Sequence, residues 1–195
     1  MSAEPQEGAS PPHWMLWLWP LLDRLLARLL RIKPLDETDS IVGTSIHRYR
    51  GQLRVLRGGT TIRSGAIICE IHILNGRLAR LALESPRGEI TPWALAAWGA
   101  RDLTMLAGMM KQASEVEALW GTTLLDSAAK RQGFTVMDMP SKLLREVVGF
   151  YLRGLMQAYH SRGARRTERK ARSLVPKEIW ISRKELLARY GSGSP

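Results

Sequence analysis

A chain of 195 residues, 45% of them apolar, has the material for one domain of ordinary size with a sizeable core. Its single cysteine, Cys69, excludes an internal disulfide and any cysteine-built zinc site. The net charge of +11 is concentrated, because from Lys130 onward 15 Lys and Arg stand against 5 Asp and Glu, a local net of +10. Such a field favours nucleic acid, anionic lipid or phosphorylated ligands.

Residues Met1 to Pro12 are rich in Pro, Gly, Ser, Glu and Ala and are expected to form a disordered tail. No basic stretch precedes the apolar run that follows, and no small-residue cleavage site ends it, so it does not read as a secretory signal. Trp14, Trp17 and Trp19 crowd the approach to Pro20, and Leu21, Leu22, Leu25, Leu26, Leu29 and Leu30 then recur at helical spacing. Asp23, Arg24, Arg28 and Arg31 occupy the other side, which predicts an amphipathic helix over 20–32 with Pro20 in its first turn. Central charges cost about 2.5 to 3.5 kcal/mol each in hydrocarbon, so the helix does not span a bilayer. Its leucine stripe, Leu21 to Leu30, is expected to pack mostly on the domain, with a membrane interface as the alternative, and the three tryptophans are assigned to membrane contact.

Ile41 to Tyr49, Leu53 to Leu56 and Ala66 to Ile73 read as strands separated by the turns Gly51-Gln52, Gly58-Gly59 and Ser64-Gly65, with Asn75-Gly76 closing the region. Cys69 sits in the apolar run of the third strand and is expected to be an inert buried thiol. The second half reads as mainly helical. Thr91-Pro92 opens a helix, Thr122 or Thr123 opens a shorter one ending before Gly133, and Phe134 to Met139 is a strand. Ser141 caps a helix whose stripe, Leu143, Leu144, Val147, Val148, Tyr151, Leu152, Leu155, Met156 and Tyr159, predicts the central core helix. Arg162 to Arg172 concentrates positive charge, Ile179 to Ile181 is a short strand, and Ser182-Arg183-Lys184-Glu185 is a capping box before a last helix. Residues 192–195 are a flexible tail. The fold class is α+β, a small antiparallel sheet in the first half packed by helices from the second half, in a single domain over 13–191.

The chemistry-bearing residues gather in two of the strands. Alternation puts His47 with Tyr49, and Glu70 with His72, on common strand faces. These four are the candidate catalytic residues, able to polarise a hydroxyl or exchange a proton. Arg48, Arg50 and Arg63 beside them, and Arg165, Arg166 and Arg169 in the basic run, are the candidate anion-binding residues. His47, Glu70 and His72 are also the number of ligands a catalytic zinc takes, but none of the four histidines forms an H-x-x-x-H or H-x-H pair, and no metal is assigned. No P-loop, G-x-S-x-G elbow or G-x-G-x-x-G is present, and no cofactor is named by the sequence. Tyr159 and Trp180 only flank the arginine run, so base stacking is not built into it, although backbone-only binding of nucleic acid remains open.

Several segments together resemble the YkoP-like family of bacterial proteins. They are His47-Arg48-Tyr49-Arg50-Gly51, Gly59-Thr60-Thr61-Ile62-Arg63-Ser64-Gly65, Glu70-Ile71-His72 with Asn75, Gly121-Thr122-Thr123-Leu124-Leu125, Gly133-Phe134-Thr135-Val136, and the stretch from Pro176 to Leu187. They span nearly all of the folded part. The resemblance brings no established activity. In some relatives a similar domain follows a polysaccharide deacetylase domain, which implies envelope glycans or lipid-linked precursors. This chain lacks the T-F-D-D-G motif of such a domain, and has Gly58-Gly59 where Asp-Gly is expected. The resulting expectation is an accessory protein, cytoplasmic and peripheral on the inner face of the membrane. It would bind an anionic lipid or lipid-linked glycan on an Arg48/Arg50/Glu70/His72 face, with a glycan-modifying enzyme as a further partner. The rivals are an enzyme acting on such a ligand by His/Glu acid–base or metal chemistry, and, in third place, non-specific binding of nucleic acid through the basic third.

Overall fold

The computed structural model describes residues 13–38, 40–84, 92–159 and 175–192. The described elements are α1 (His13–Leu29), β1 (Lys33–Pro34), β2 (Val42–Arg48), β3 (Arg54–Val55), β4 (Thr61–Ile62), β5 (Ile67–Ile73), α2 (Asn75–Glu84), α3 (Pro92–Gln112), β6 (Val116–Thr123), α4 (Asp126–Arg131), β7 (Thr135–Asp138), α5 (Lys142–Tyr159), β8 (Lys177–Ser182) and α6 (Arg183–Tyr190). The architecture is α+β, as expected.

The sheet draws on both halves of the chain. Six strands lie in the order β1-β2-β5-β6-β8-β7, and β3 and β4 form a separate two-stranded ribbon. All neighbours in the large sheet are antiparallel except β5 and β6. A parallel pair needs a crossover, and α2 and α3 lie in the chain between these two strands. Strand β6 is the largest departure from the expected elements. Thr122 and Thr123 end this strand instead of opening a helix, and the short helix begins at Asp126. Gly121 is a strand residue where the neighbouring backbone comes close: a Cβ there would lie 3.0 Å from the Ile71 carbonyl oxygen.

One face of the sheet is a closed apolar core. Cys69 from β5, Leu119 from β6 and Ile181 from β8 pack there against Leu103, Leu106 and Met110 of α3 and Leu186 of α6. Helix α6 is fixed by the expected capping box: the Ser182 hydroxyl accepts from the Glu185 N–H at 3.2 Å, and the Glu185 carboxylate accepts from the Ser182 N–H at 3.1 Å. Burial pushes the Cys69 thiol up to about 12, which leaves it unreactive at neutral pH.

The other face is covered in two parts. The β3–β4 ribbon brings Leu56 and Ile62 over Tyr49, Ile68, Ala118 and Trp180. A buried ion pair ties the ribbon down, because Arg54 contacts the Glu178 carboxylate through both Nε, at 3.0 Å, and Nη2, at 2.9 Å. The Trp180 N–H donates to that carboxylate at 3.2 Å. The ribbon's turn needs Gly59 at φ +78°. A Cβ on Gly58 beside it would lie 2.8 Å from Glu185 Oε1, so the expected aspartate requires the Glu185 carboxylate to shift. Beyond the ribbon, the chain leaving α1 crosses this face. A Cβ on Gly43 would lie 2.5 Å from Ile32, and Ser45 donates to the Leu30 carbonyl at 2.8 Å.

Helix α5 packs on α1 and α2, and α2 also lays Leu78 and Leu81 against the core, whereas Leu21, Leu25 and Leu29 of α1, expected to pack on the domain, are exposed. Asp23 of α1 accepts from Tyr151 of α5 at 2.8 Å and from Asn75 of α2 at 3.2 Å. Helix α1 begins at His13, earlier than the expected residue 20, and carries Pro20 inside it. Helix α5 is not the central core helix that its stripe predicts: Leu143, Leu144 and Val147 are all exposed. The core role belongs to α3, and the partner that α5 packs against is α1. Asn75, expected in a closing turn, is the first residue of α2. The expected N-terminal tail to Pro12, the arginine run and residues 193–195 lie outside the described residues.

Candidate functional site

Register decides which side chains meet. Glu70 of β5 pairs with Ser45 of β2, Ile68 with His47, and His72 with Gly43. Residues directly opposite in an antiparallel pair share a face, so His47, Glu70 and His72 all project from the same side. Glu70 stands between the two imidazoles. Its Oε2 is 3.9 Å from His47 Nε2, and its Oε1 is 3.5 Å from His72 Nε2. Trp120, paired with Glu70 from β6, completes the cluster and meets the His47 ring edge-on at 6.3 Å.

The electrostatics of the cluster follow from burial. Glu70 is largely withdrawn from water, which pushes its carboxyl up from the ordinary 4.5 to about 7. Burial, with the His47 charge as a second cause, holds His72 down at about 4, so its ring is neutral at neutral pH. Among the described residues, His72 Nε2 and the Trp120 indole nitrogen are buried atoms without a hydrogen-bond partner. A carboxyl that is about half protonated at neutral pH, next to a neutral imidazole, can give or take a proton or hold a ligand hydroxyl.

Other expected site residues go elsewhere. Tyr49 is buried in the second core cluster, stacks edge-on against Trp180 at 5.2 Å and donates its hydroxyl to the Gln52 carbonyl at 2.7 Å. Burial raises its pKa. The single Arg48/Arg50/Glu70/His72 face does not form. Arg48 pairs with Ile67, which puts it on the opposite side of the sheet from Glu70, and it donates to the Gly65 carbonyl at 3.2 Å. Arg50 and Arg63 are exposed on the loops flanking the ribbon. Arg165, Arg166 and Arg169 lie outside the described residues, as do the side chains of Trp14, Trp17 and Trp19 on the first part of α1. No group of three or more His, Cys, Asp or Glu among the described residues is placed to hold a metal ion.

The cations that do stand near the cluster are Arg31 and Lys33. A groove of about 840 Å³ runs along β2 where the two-residue β1 stops covering it. Ser45, His47 and Glu70 line it together with Arg31 and Lys33, and Leu29, Leu30, Leu35, Ile46, Met105 and Met109 supply its apolar wall. Arg31 is the one described non-glycine residue with positive φ, at +53°. It ends α1 in a Schellman motif, with Ile32 N–H bonded to the Ala27 carbonyl and Arg31 N–H to the Arg28 carbonyl. Glycine normally takes that position, and a side chain there costs about 1 to 3 kcal/mol. Sequence reasoning placed Arg31 on the polar side of a helix, and nothing in a single sequence marks the end of the helix two residues before it, at Leu29. Trp120 was missed with its strand.

The fold and this cluster define a mixed α+β protein with a carboxyl–imidazole site beside a groove. The chain belongs to the YkoP family: the model of the YkoP domain matches residues 12–190. No curated protein and no solved structure matches the chain.

Proposed function

We propose that this chain binds an anionic, phosphorylated ligand with an apolar part, of the glycan- or lipid-linked kind, in the groove along β2. The observation that carries the reading is Arg31, which keeps a cationic side chain at a strained backbone position on the groove wall. Lys33 adds a second cation, and the apolar wall suits a lipid or polyprenyl tail. Glu70 does not oppose an anion while protonated, and its carboxyl, which lines the groove, would hold the ligand's hydroxyl or phosphoryl oxygens. A role as accessory protein to a glycan-modifying enzyme, in the cytoplasm at the inner face of the membrane, agrees with this ligand class.

The test is titration of a soluble short-chain alkyl phosphate into the full chain, followed by calorimetry. Binding that weakens about fivefold or more in the Arg31→Gln/Lys33→Gln protein supports the groove, since each charge-assisted contact contributes roughly 1 kcal/mol or more. Wild-type protein with no heat at millimolar ligand overturns it.

A second reading has its own observation. The unpartnered His72 Nε2 and the raised Glu70 favour acid–base chemistry on the same ligand, with Glu70 as the proton donor and His72 as its relay. Turnover of a lipid-linked phosphosugar that is lost in Glu70→Gln with ligand binding retained would select this reading.

A further inference from the structure

Helices α1 and α5 present apolar side chains to the outside. Leu21, Leu25 and Leu29 recur one helical turn apart on α1 and are exposed, Leu21 by 65%. On α5, Leu143 is exposed by 77%, and Leu144 and Val147 lie within a turn of it. On α1 the stripe is turned away from Asp23, which accepts from Tyr151 of α5. On α5, Leu143 and Val147 lie two turns and one turn before Tyr151 on its side of the helix and stay exposed beyond that contact. The leucines of α1 are interleaved with the exposed Arg24 and Arg28, while the helix's acid, Asp23, is turned inward. The exposed side of α1 is therefore apolar and cationic with no anion among its described residues.

We propose that this outward face of α1 and α5 docks on an anionic bilayer surface. The charge pattern chooses the occupant. A second copy meeting this one through α1 would set Arg24 and Arg28 against their own kind, whereas anionic headgroups neutralise them while the leucines enter the acyl boundary and the exposed Glu146 of α5 stays in the headgroup layer. The sequence around these leucines has matching composition: tryptophans stand at 14, 17 and 19 in the first part of α1, and the arginine run follows α5. No helix among the described residues is long and apolar enough to cross a membrane, so the contact lies in the interface plane. The end of α1, from Leu29 to Arg31, also lines the groove, so docking brings the groove to the headgroup layer. The inference deepens the proposed function and rests on it for what enters the groove, but not for the surface itself.

Sedimentation of the full chain with vesicles tests it, comparing phosphatidylglycerol mixed with phosphatidylcholine against phosphatidylcholine alone. The expected result is binding to the anionic vesicles at physiological salt. Binding should fall about tenfold or more in Leu21→Gln/Leu25→Gln and in Leu143→Gln/Val147→Gln, because each leucine buried contributes roughly a factor of ten. It should fall about fivefold per charge in Arg24→Gln/Arg28→Gln. These sites are exposed, so the melting temperature of each variant should match wild type. A groove variant, Arg31→Gln/Lys33→Gln, separates the two proposals. If it loses alkyl phosphate but keeps most vesicle binding, the surface stands on its own. If vesicle binding follows the groove variant and ignores the leucine pairs, the groove holds the lipid and the surface proposal is wrong. It is equally overturned if wild type ignores anionic vesicles, or if the leucine pairs only convert a dimer into a monomer in sedimentation velocity.

Discussion

The two faces of the six-stranded sheet are covered by different means. Under α3 and α6 the cover is apolar and closed, with Leu106, Met110, Leu119 and Leu186 out of contact with water. Under the ribbon and the end of α1 the cover is pieced together from loops, a buried ion pair and a gap; His47 and Glu70 of the polar cluster open onto that gap, with His72 Nε2 and the Trp120 indole nitrogen buried behind them. A dry, continuous face supplies stability without specificity. A face assembled from parts leaves room for groups that are imperfectly satisfied, and those are the groups that can respond to a ligand.

The comparison breaks most readily at the ion pair. Arg54→Ala leaves the Glu178 carboxylate buried with only the Trp180 N–H, and the expected loss is about 3 to 5 kcal/mol in urea unfolding. Arg54→Met with Glu178→Gln should recover much of it, since it is the uncompensated charge that costs. A loss below about 1 kcal/mol for Arg54→Ala would mean that the ribbon holds by its Leu56 and Ile62 contacts alone.

The cluster comes next, with a pH signature. Glu70 titrates near 7 in the fold against an ordinary 4.5, so its ionisation costs stability; the cost is absent below 4.5 and complete above 7. His72 titrates near 4 against an ordinary 6.5, so its stability contribution is present above 6.5 and lost as pH falls toward 4. Between 4.5 and 6.5 the folded chain keeps its proton on Glu70 and the unfolded chain keeps one on the histidine, so the two slopes cancel. Wild-type stability should therefore vary little with pH across that window. Glu70→Gln should gain about 2 kcal/mol at pH 8 and then lose stability steadily toward pH 4, and His72→Asn should lose it toward alkali instead. Parallel pH profiles for all three proteins would mean that neither Glu70 nor His72 is shifted by its burial.

How much of this could be read from the sequence differs by face and by the range of the interaction. The convergence of His47, Glu70 and His72 followed from strand parity, a local property, and the capping box at Ser182 is a signal within four residues. The error about Arg48 has the same origin: it was grouped with Glu70 and His72 although parity assigns it to the other side. Strand β6 was hidden because Thr122 and Thr123 look like helix N-caps, while their place in the sheet depends on pairing with Glu178 and Lys177, more than fifty residues away. Helix α5 misled for a different reason. An apolar stripe at helical spacing says that a helix has an apolar side, not that this side is covered by the same chain. The end of α1 at Arg31 depends on a backbone conformation that the residue type argues against.

Arg31 supplies a smaller test with opposite signs. Arg31→Gly removes the strain of the positive φ and should raise stability by about 1 kcal/mol in urea unfolding. The same change removes a groove cation, so alkyl phosphate affinity should fall. Gain in one measurement with loss in the other is what a residue kept for its side chain predicts. Loss in both would mean that Arg31 holds the loop in place.

The smallest effect on stability is expected in the arginine run. Arg165, Arg166 and Arg169 lie outside the described residues, and the expectation rests on charge alone. Replacing the three by Gln should leave the melting curve unchanged and weaken anionic vesicle binding at low salt. Each basic residue near such a surface contributes about 1 kcal/mol, and this fades over a Debye length of about 8 Å at physiological salt. The difference between variant and wild type should therefore shrink as salt rises, while the difference made by the leucine pairs of α1 and α5 should persist, because apolar burial is not screened. The same pair of curves weighs nucleic acid against membrane. If wild type leaves anionic vesicles alone yet holds duplex DNA or RNA at physiological salt, with affinity falling steeply as salt rises and a shallower slope in the triple variant, the positive third of the chain serves a phosphate backbone, and the groove then has to be explained without a bilayer beside it.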